Sequence, residues 1–87
     1  MMLKLSIEMD ESAGGFNRAL GLAKDLAARH NFDTTLISWA DRGRGVHSPQ
    51  CLKCEIHGRP AWEVYGENHG GRLSIGVNDD QYVFIYS

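Results

Sequence analysis

Four side chains that could bind a metal lie close together in the middle of the chain. His47, Cys51, Cys54 and His57 follow the spacing H-x3-C-x2-C-x2-H, and zinc prefers thiolate and imidazole ligands in tetrahedral sites. The residues between them, however, alternate as they do in a strand, where positions three apart point to opposite faces. We therefore expect a strand with Cys54 in the core. A zinc site at these four residues is the alternative, and no other cofactor is indicated.

Two arginines lie on a glycine-rich segment just before this cluster. Arg42 and Arg44 alternate with glycines, and guanidinium groups on a flexible backbone can bind a carboxylate or phosphate through paired hydrogen bonds. Three features disfavour nucleic acid: the adjacent Asp41, the net charge of −2 and the lack of an aromatic RNA-binding motif. An ordinary solvated loop is therefore expected at this segment, where Arg42 and Arg44 are candidate ligand-binding residues, and weak binding of single-stranded nucleic acid is a second alternative.

A second polar segment spans Glu67–Arg72 and contains an acid, an amide, an imidazole and a guanidinium. Such groups can perform acid–base chemistry or bind a carboxylate. Because no nucleophile or metalloprotease motif accompanies them, no residue is assigned a catalytic role. The candidate ligand-binding residues are Arg42, Arg44, His47, His69 and Arg72. The alternative function, a small enzyme or metal-dependent domain, would use His47, Cys51, Cys54, His57 or His69.

One amphipathic helix is predicted over Phe16–His30. At 100° per residue its apolar positions fall on one arc, and the opposite arc is mostly polar, which is typical of a helix packed on a core. The arc consists of Phe16, Ala19, Leu20, Leu22, Ala23, Leu26, Ala27 and His30.

The remaining segments favour strands. Alternation over Leu3–Met9 and β-branched residues over Thr34–Ala40 predict two strands on either side of the helix. A strand–helix–strand unit within one sheet makes these two strands parallel. A loop is expected over Asp41–Pro49. Further strands are predicted at Gln50–His57, Ala61–Tyr65, Leu73–Val77 and Gln81–Tyr86, with a hairpin turn at Asn78-Asp79-Asp80.

These elements indicate a single α+β domain over residues 1–87 with the order β-α-β-β-β-β(-β). One amphipathic helix packs on one face of a mostly antiparallel sheet of five or six strands. A helix is about 10 Å wide and strands are about 4.8 Å apart, so much of the sheet would stay uncovered.

The uncovered sheet leads to the functional hypothesis. Large apolar surfaces are rare on monomers and closed homodimers are common, so we expect a homodimer that uses the helix-free face or the C-terminal edge strand. We expect a non-enzymatic binding or interaction module that uses this face and the 41–49 loop. The first residues alternate charged and apolar types and no segment could span a membrane, so a cytoplasmic protein is expected. No other protein partner is indicated.

Overall fold

A computed structural model describes residues 2–10, 15–30, 35–48, 55–56 and 58–87, with the backbone alone at 55–56. Over these ranges the chain forms two helices and seven strands. The helices are α1 (Phe16–Arg29) and α2 (Ala61–Asn68). The strands are β1 (Leu3–Ile7), β2 (Leu36–Asp41), β3 (Val46–Ser48), β4 (Glu55–Ile56), β5 (Arg59–Pro60), β6 (Leu73–Val77) and β7 (Tyr82–Tyr86).

Five strands form one mixed sheet in the order β1-β6-β7-β2-β3, and β4 pairs with β5 in a separate two-stranded sheet. Strand β1 is parallel to β6, whereas the other neighbours in the large sheet are antiparallel. The predicted α+β class and the mostly antiparallel sheet are therefore confirmed. Strands β1 and β2 are parallel, as predicted, with β6 and β7 between them.

Helix α1 packs its small residues against the centre of the sheet. Ala19, Ala23 and Ala27 are completely buried at a spacing of four residues and contact the core side chains of β6 and β7. Alanines on this line let the helix axis approach the sheet, while Leu20 and Leu26 pack beside them. His30, which the predicted arc includes, is instead exposed as the C-cap residue, and its backbone N–H donates to the carbonyls of Leu26 and Ala27.

Strand β7 is buried on both faces. Tyr82, Phe84 and Tyr86 pack in the core under α1, whereas Val83 and Ile85 belong to a second apolar cluster with Ala40 and Trp62. The C-terminal strand therefore lies inside the sheet, and the prediction that it forms an edge was wrong. A strand with apolar side chains on both faces needs a cover on each of them.

Helix α2 supplies the second cover and corrects the strand prediction over Ala61–Tyr65. Pro60, the N-cap residue, has φ −58° and ψ 137°, and Glu63 lies in the first turn where a negative charge suits the helix dipole. Trp62 is buried against β2 and β7 on the face opposite α1. That face, predicted to be helix-free, is thus partly covered. Neither helix in the described ranges is long and apolar enough to cross a membrane.

The predicted 41–49 loop is a hairpin over its described part. Strand β3 pairs with β2 in the register Asp41↔Val46, and a turn spans residues 42–45. The Asp41 carboxylate, which is nearly completely buried, accepts hydrogen bonds from the backbone N–H and the Nε of Arg44. The contacts between Asp41 and Arg44 stabilise the turn of this hairpin, although the segment is mostly polar. The strand predicted at Gln50–His57 lies outside the described residues except for Glu55–Ile56, which form β4.

Two glycines let α2 lie directly on the sheet. A Cβ on Gly66 would lie 2.8 Å from Ile85 Cδ1 and 2.9 Å from Ser38 Oγ, and a Cβ on Gly71 would lie 2.8 Å from Ile85 Cγ2. All three distances are too short for a real side chain, and a Cβ on Gly71 would also lie 2.5 Å from the backbone carbonyl oxygen of Gly66. Both positions therefore require glycine. Gly70, with φ +88°, supplies the left-handed residue that ends many helices.

Substitution of Gly66 by alanine tests this packing. We expect Gly66→Ala to lower the free energy of unfolding by about 1–3 kcal/mol because the new methyl group overlaps Ile85, although alanine favours a helix. Gly21→Ala is the matched control, because no atom lies within 4 Å of a Cβ at that position of α1, and it should stabilise by up to about 1 kcal/mol. Urea unfolding of both variants measures the difference. Similar effects of the two substitutions would contradict the packing.

A second prediction concerns alkaline pH. The Tyr86 hydroxyl is buried and has no hydrogen-bond partner among the described residues, and burial raises the pKa of Tyr86 to about 12. The unfolded chain ionises this tyrosine near pH 10, so the free energy of unfolding should fall as the pH rises from 10 towards 12. Tyr86→Phe should remove this part of the slope, as measured by denaturant unfolding at several pH values. An unchanged slope in Tyr86→Phe would contradict the prediction.

Candidate ligand-binding cleft

A cleft of about 170 Å³ lies beside α2 on the sheet face opposite α1. We call it the α2 cleft. Its floor comes from three strands, and its wall comes from α2 and the residue before it. The floor includes Lys4, Ser6, Ser74, Gly76 and Val83, and the wall includes Pro60, Trp62, Glu63 and Glu67. Met2, Leu5, Arg42 and Asp80 complete the lining.

The cleft exists because one half of this face carries small residues. Helix α2 lies over β2 and β7, where Trp62 packs on Ala40 and Val83. Strands β1 and β6 turn Leu5, Ile75 and their apolar neighbours towards α1. The alternate positions on the α2 side hold serines and a glycine, which are too small to fill the space beside the helix.

The turn between β6 and β7 is strained and brings Asp80 to the cleft. Asn78, Asp79 and Asp80 have φ values of 54°, 55° and 65°, so three consecutive residues other than glycine are left-handed. Such residues usually occur singly, and backbone strain is often found at functional sites. Asn78 holds the turn against β1: its N–H donates to the Ile7 carbonyl, and its Oδ1 accepts from the Met9 N–H at 2.8 Å.

Gly76 accommodates the Asp80 carboxylate. A Cβ at Gly76 would overlap the Oδ1 atom of Asp80, so the carboxylate lies directly above the backbone of β6. The side chain therefore occupies space that any other residue at position 76 would take. Position 76 is therefore a glycine because the Asp80 carboxylate occupies the space that a Cβ would need.

The Asp80 carboxylate and the Arg42 guanidinium flank the cleft without pairing. The Arg42 N–H donates to the Gln81 carbonyl at 2.8 Å, which places Arg42 and the strained turn at the same end of the cleft. The ion pairs between described residues do not include Asp80, Arg42 or Lys4. This end of the cleft therefore offers one negative and one positive group that are not neutralised by each other.

The wall of the cleft carries its own balanced charges. Arg59 Nη2 lies 2.9 Å from Glu63 Oε1 and 2.6 Å from Glu67 Oε1. The hydrogen bond from Arg59 lowers the pKa of Glu67 below its ordinary value, and the positive charge of Lys4 contributes to the same shift. The charges of both acids of α2 are thus partly neutralised by Arg59.

Of the five ligand-binding candidates from the sequence, the structure places only Arg42 in the α2 cleft. Arg44 pairs with Asp41 at 2.7 Å, and His47 lies on the edge strand β3 opposite Ala40. His69 follows α2, where its ring stacks on Tyr65 at 3.8 Å and its Nδ1 lies 2.9 Å from the Tyr65 carbonyl. The N–H of Arg72 donates to the carbonyl of Tyr86 at the start of β6. The five residues do not form one site.

The structure describes only one of the four proposed zinc ligands, His47. Cys51, Cys54 and His57 lie outside the described residues, so the structure does not test the H-x3-C-x2-C-x2-H cluster. Within the described ranges, no group of three histidine, cysteine or acidic side chains is arranged to hold a metal ion.

Lys4 and Asp80 were not among the candidates from the sequence. Lys4 occupies a polar position of an alternating strand, which is ordinary for a half-exposed sheet. Asp80 belongs to the segment Asn78-Asp79-Asp80, which correctly predicted the hairpin turn. Its role in the cleft depends on the strained geometry and on Gly76, and neither is visible in the pattern of residue types.

The fold and cleft define a small α+β domain with two helices on opposite faces of a mixed sheet. The chain belongs to the family described as Domain of unknown function (DUF5619), which matches residues 2–86. An uncharacterized protein of Archaeoglobus fulgidus is 36% identical over 62 residues, which are 71% of this chain and 64% of that protein. This chain therefore spans less than two thirds of the length of that relative.

A solved structure has the same fold. The crystal structure of protein AF1514 from Archaeoglobus fulgidus matches with a TM-score of 0.81 and 28% sequence identity, covering 100% of this chain and 94% of that chain. The arrangement of helices and strands is thus found in an experimentally determined relative.

Removal of Arg59 tests the electrostatics of the wall. Arg59→Gln should raise the pKa of Glu67 towards its ordinary value of 4.5, because the shortest charged hydrogen bond of that carboxylate is lost. A titration followed by carboxyl-carbon NMR measures this change. Arg44→Gln is the control, since Arg44 pairs with Asp41 and not with α2. A pKa of Glu67 that does not move in Arg59→Gln would show that the Arg59 contact is not formed in solution.

Proposed function

We propose that this protein is a non-enzymatic binding module that holds a small zwitterionic ligand in the α2 cleft. The observation that carries the proposal is the strained turn at Asn78–Asp80, which places the Asp80 carboxylate over Gly76 at the cleft. The proposed site lies on the sheet face that the sequence predicted to be free of helix, and it includes the candidate residue Arg42. It occupies only the half of that face that lies beside α2.

The turn supports a role in binding because it fixes the Asp80 carboxylate at the cleft. Asn and Asp adopt left-handed backbone more readily than other residues with a side chain, but usually singly, and three in succession persist because the surrounding structure holds them. The Asp80 side chain is exposed and has no ion-pair partner among the described residues. A carboxylate held in this way is ready to accept hydrogen bonds from a ligand ammonium group.

The charges around the cleft support a ligand with groups of both signs. Arg42 at the same end can bind a carboxylate through two hydrogen bonds. Arg42 and Asp80 have no ion-pair partner among the described residues, whereas Glu63 and Glu67 pair with Arg59. A polyanion such as nucleic acid would meet three carboxylates in this cleft, so the charge pattern supports a small zwitterion over a nucleic acid.

The size and lining of the cleft support a small molecule. A volume of about 170 Å³ is below the range of about 300–1,000 Å³ that is typical of pockets for drug-sized ligands. Ser6, Ser74 and Trp62 give the lining both polar and apolar groups. These features suit a molecule the size of an amino acid. The described lining contains no histidine or cysteine, which supports binding over catalysis.

The cellular location is part of the same proposal. Two cysteines in 87 residues are too few for the disulfide framework of a small secreted domain. We propose a cytoplasmic location, where thiols stay reduced and free amino acids are abundant small zwitterions.

Titration with the standard amino acids, followed by the backbone amide signals of the protein, tests the proposed function. At least one amino acid at millimolar concentration should shift the signals of Arg42, Ser74 and Gly76. Its analogues without the ammonium or without the carboxylate should bind at least about tenfold more weakly, which corresponds to about 1.4 kcal/mol.

Matched substitutions locate the binding. Asp80→Asn and Arg42→Gln should each weaken binding by about tenfold or more, because each removes one charged hydrogen bond. Arg44→Gln removes the same charge from a side chain that is 67% exposed and pairs with Asp41, and it should leave binding unchanged. If no amino acid shifts these signals, or if Arg44→Gln weakens binding as much as Arg42→Gln, the proposed function is wrong.

A further inference from the structure

Strand β1 ends the large sheet and has an unpaired outer edge in the described part of the chain. It pairs on one side with β6 and has no neighbouring strand on the other side. The Leu3 N–H donates to the Arg72 carbonyl, and the Ile7 carbonyl accepts from the Asn78 N–H. Odd-numbered residues therefore turn their backbone groups towards β6, and Lys4, Ser6 and Glu8 turn theirs outwards.

The exposed edge carries apolar residues on one face and charged residues on the other. Leu3 is 46% exposed, and Leu5, Ile7 and Met9 are half-buried beside it on the α1 side. Natural sheets usually protect such edges with charges or proline. Here Lys4 lies on β1 and lines the α2 cleft, and Glu8, which directly follows β1, has the opposite charge and lies equally far from Ser6 along the chain.

We infer that a second copy of this chain pairs with β1 in antiparallel orientation about a two-fold axis at Ser6. In this register Lys4 lies opposite the partner's Glu8, and Ser6 lies opposite the partner's Ser6. On the other face Leu5 lies opposite the partner's Ile7, and Leu3 lies opposite the partner's Met9. Polar residues meet polar residues and apolar residues meet apolar ones along the whole edge.

The two-fold register satisfies three requirements at once. Residues 4, 6 and 8 form about six backbone hydrogen bonds with the second copy, because each opposed pair of outward-facing residues exchanges two. The exposed Leu3 gains an apolar cover. The two Lys4–Glu8 pairs attract, whereas a parallel pairing in register would place like charges together. A shift by two residues would lose both charge pairs, so the charges select one register.

This pairing also brings two α2 clefts onto one face of a continuous ten-stranded sheet. Lys4 and Ser6 line the cleft, so the partner's Glu8 lies at its rim beside Lys4. The pairing is independent of the ligand proposal, because it depends on the edge of β1 and not on Asp80 or Arg42. The proposed dimer interface is the edge of β1 and not the C-terminal strand β7, because β7 lies inside the sheet.

Charge reversal at positions 4 and 8 tests the inference in the full-length chain. Sedimentation equilibrium should give twice the monomer mass of 9.7 kDa for the native sequence at micromolar concentration. Lys4→Glu and Glu8→Lys should each raise the dimer dissociation constant at least tenfold, because each places two pairs of like charges across the axis. The double variant Lys4→Glu/Glu8→Lys should restore the dimer. Circular dichroism confirms that each variant is folded.

Every outcome decides the inference. A native monomer would overturn it, and single variants that remain dimers would show that another surface, such as the three-residue edge strand β3, joins the copies. A double variant that stays monomeric would also overturn the proposed register. Because Glu8→Lys is expected to be monomeric and Glu8 does not line the α2 cleft of its own chain, amino-acid titration of this variant separates failure of the dimer from failure of the proposed function.

Discussion

Strand β7 has apolar side chains on both faces, and the other elements are arranged to cover them. Tyr82, Phe84 and Tyr86 lie under α1, and Val83 and Ile85 lie under α2. Full burial of these five side chains contributes about 8–15 kcal/mol before the entropy of folding is subtracted, at about 1.5–3 kcal/mol for each large apolar side chain. An internal position for β7 follows, since an edge strand would expose part of both faces.

Helix α2 covers only part of the sheet face opposite α1, and the uncovered part forms the α2 cleft. Helix α2 has eight residues, which is about 12 Å of helix, and it lies over only two of the five strands. Gly66 and Gly71 bring it so close to Ile85 that its flank forms a steep wall beside the neighbouring strands. The small residues Ser6, Ser74 and Gly76 leave the adjacent floor open. The α2 cleft therefore forms because α2 is short and packs very close to the sheet.

Much of the fold was predictable from periodicity, whereas α2 was not. Helix α1 and strands β1, β2, β6 and β7 have clear periods, and they form where the patterns predict. In a segment as short as Ala61–Tyr65, apolar residues can fall at alternate positions by chance. The eight residues of α2 are also too few to establish a helical period. The two-faced apolar pattern of Tyr82–Tyr86 did contain the missing information, because it requires a second cover on the sheet.

The site was less predictable, because its geometry depends on contacts between distant segments. Arg42 was identified from its charge and its glycine neighbours, but Asp80 acquires significance only through a turn that Asn78 ties to the end of β1. A domain of this size has a total stability of only about 5–15 kcal/mol, so a strained turn is a noticeable fraction of it. The Asn78 hydrogen bonds offset that strain by joining the hairpin to β1. The same contacts therefore fix the turn that carries the acidic group of the cleft to the end of β1.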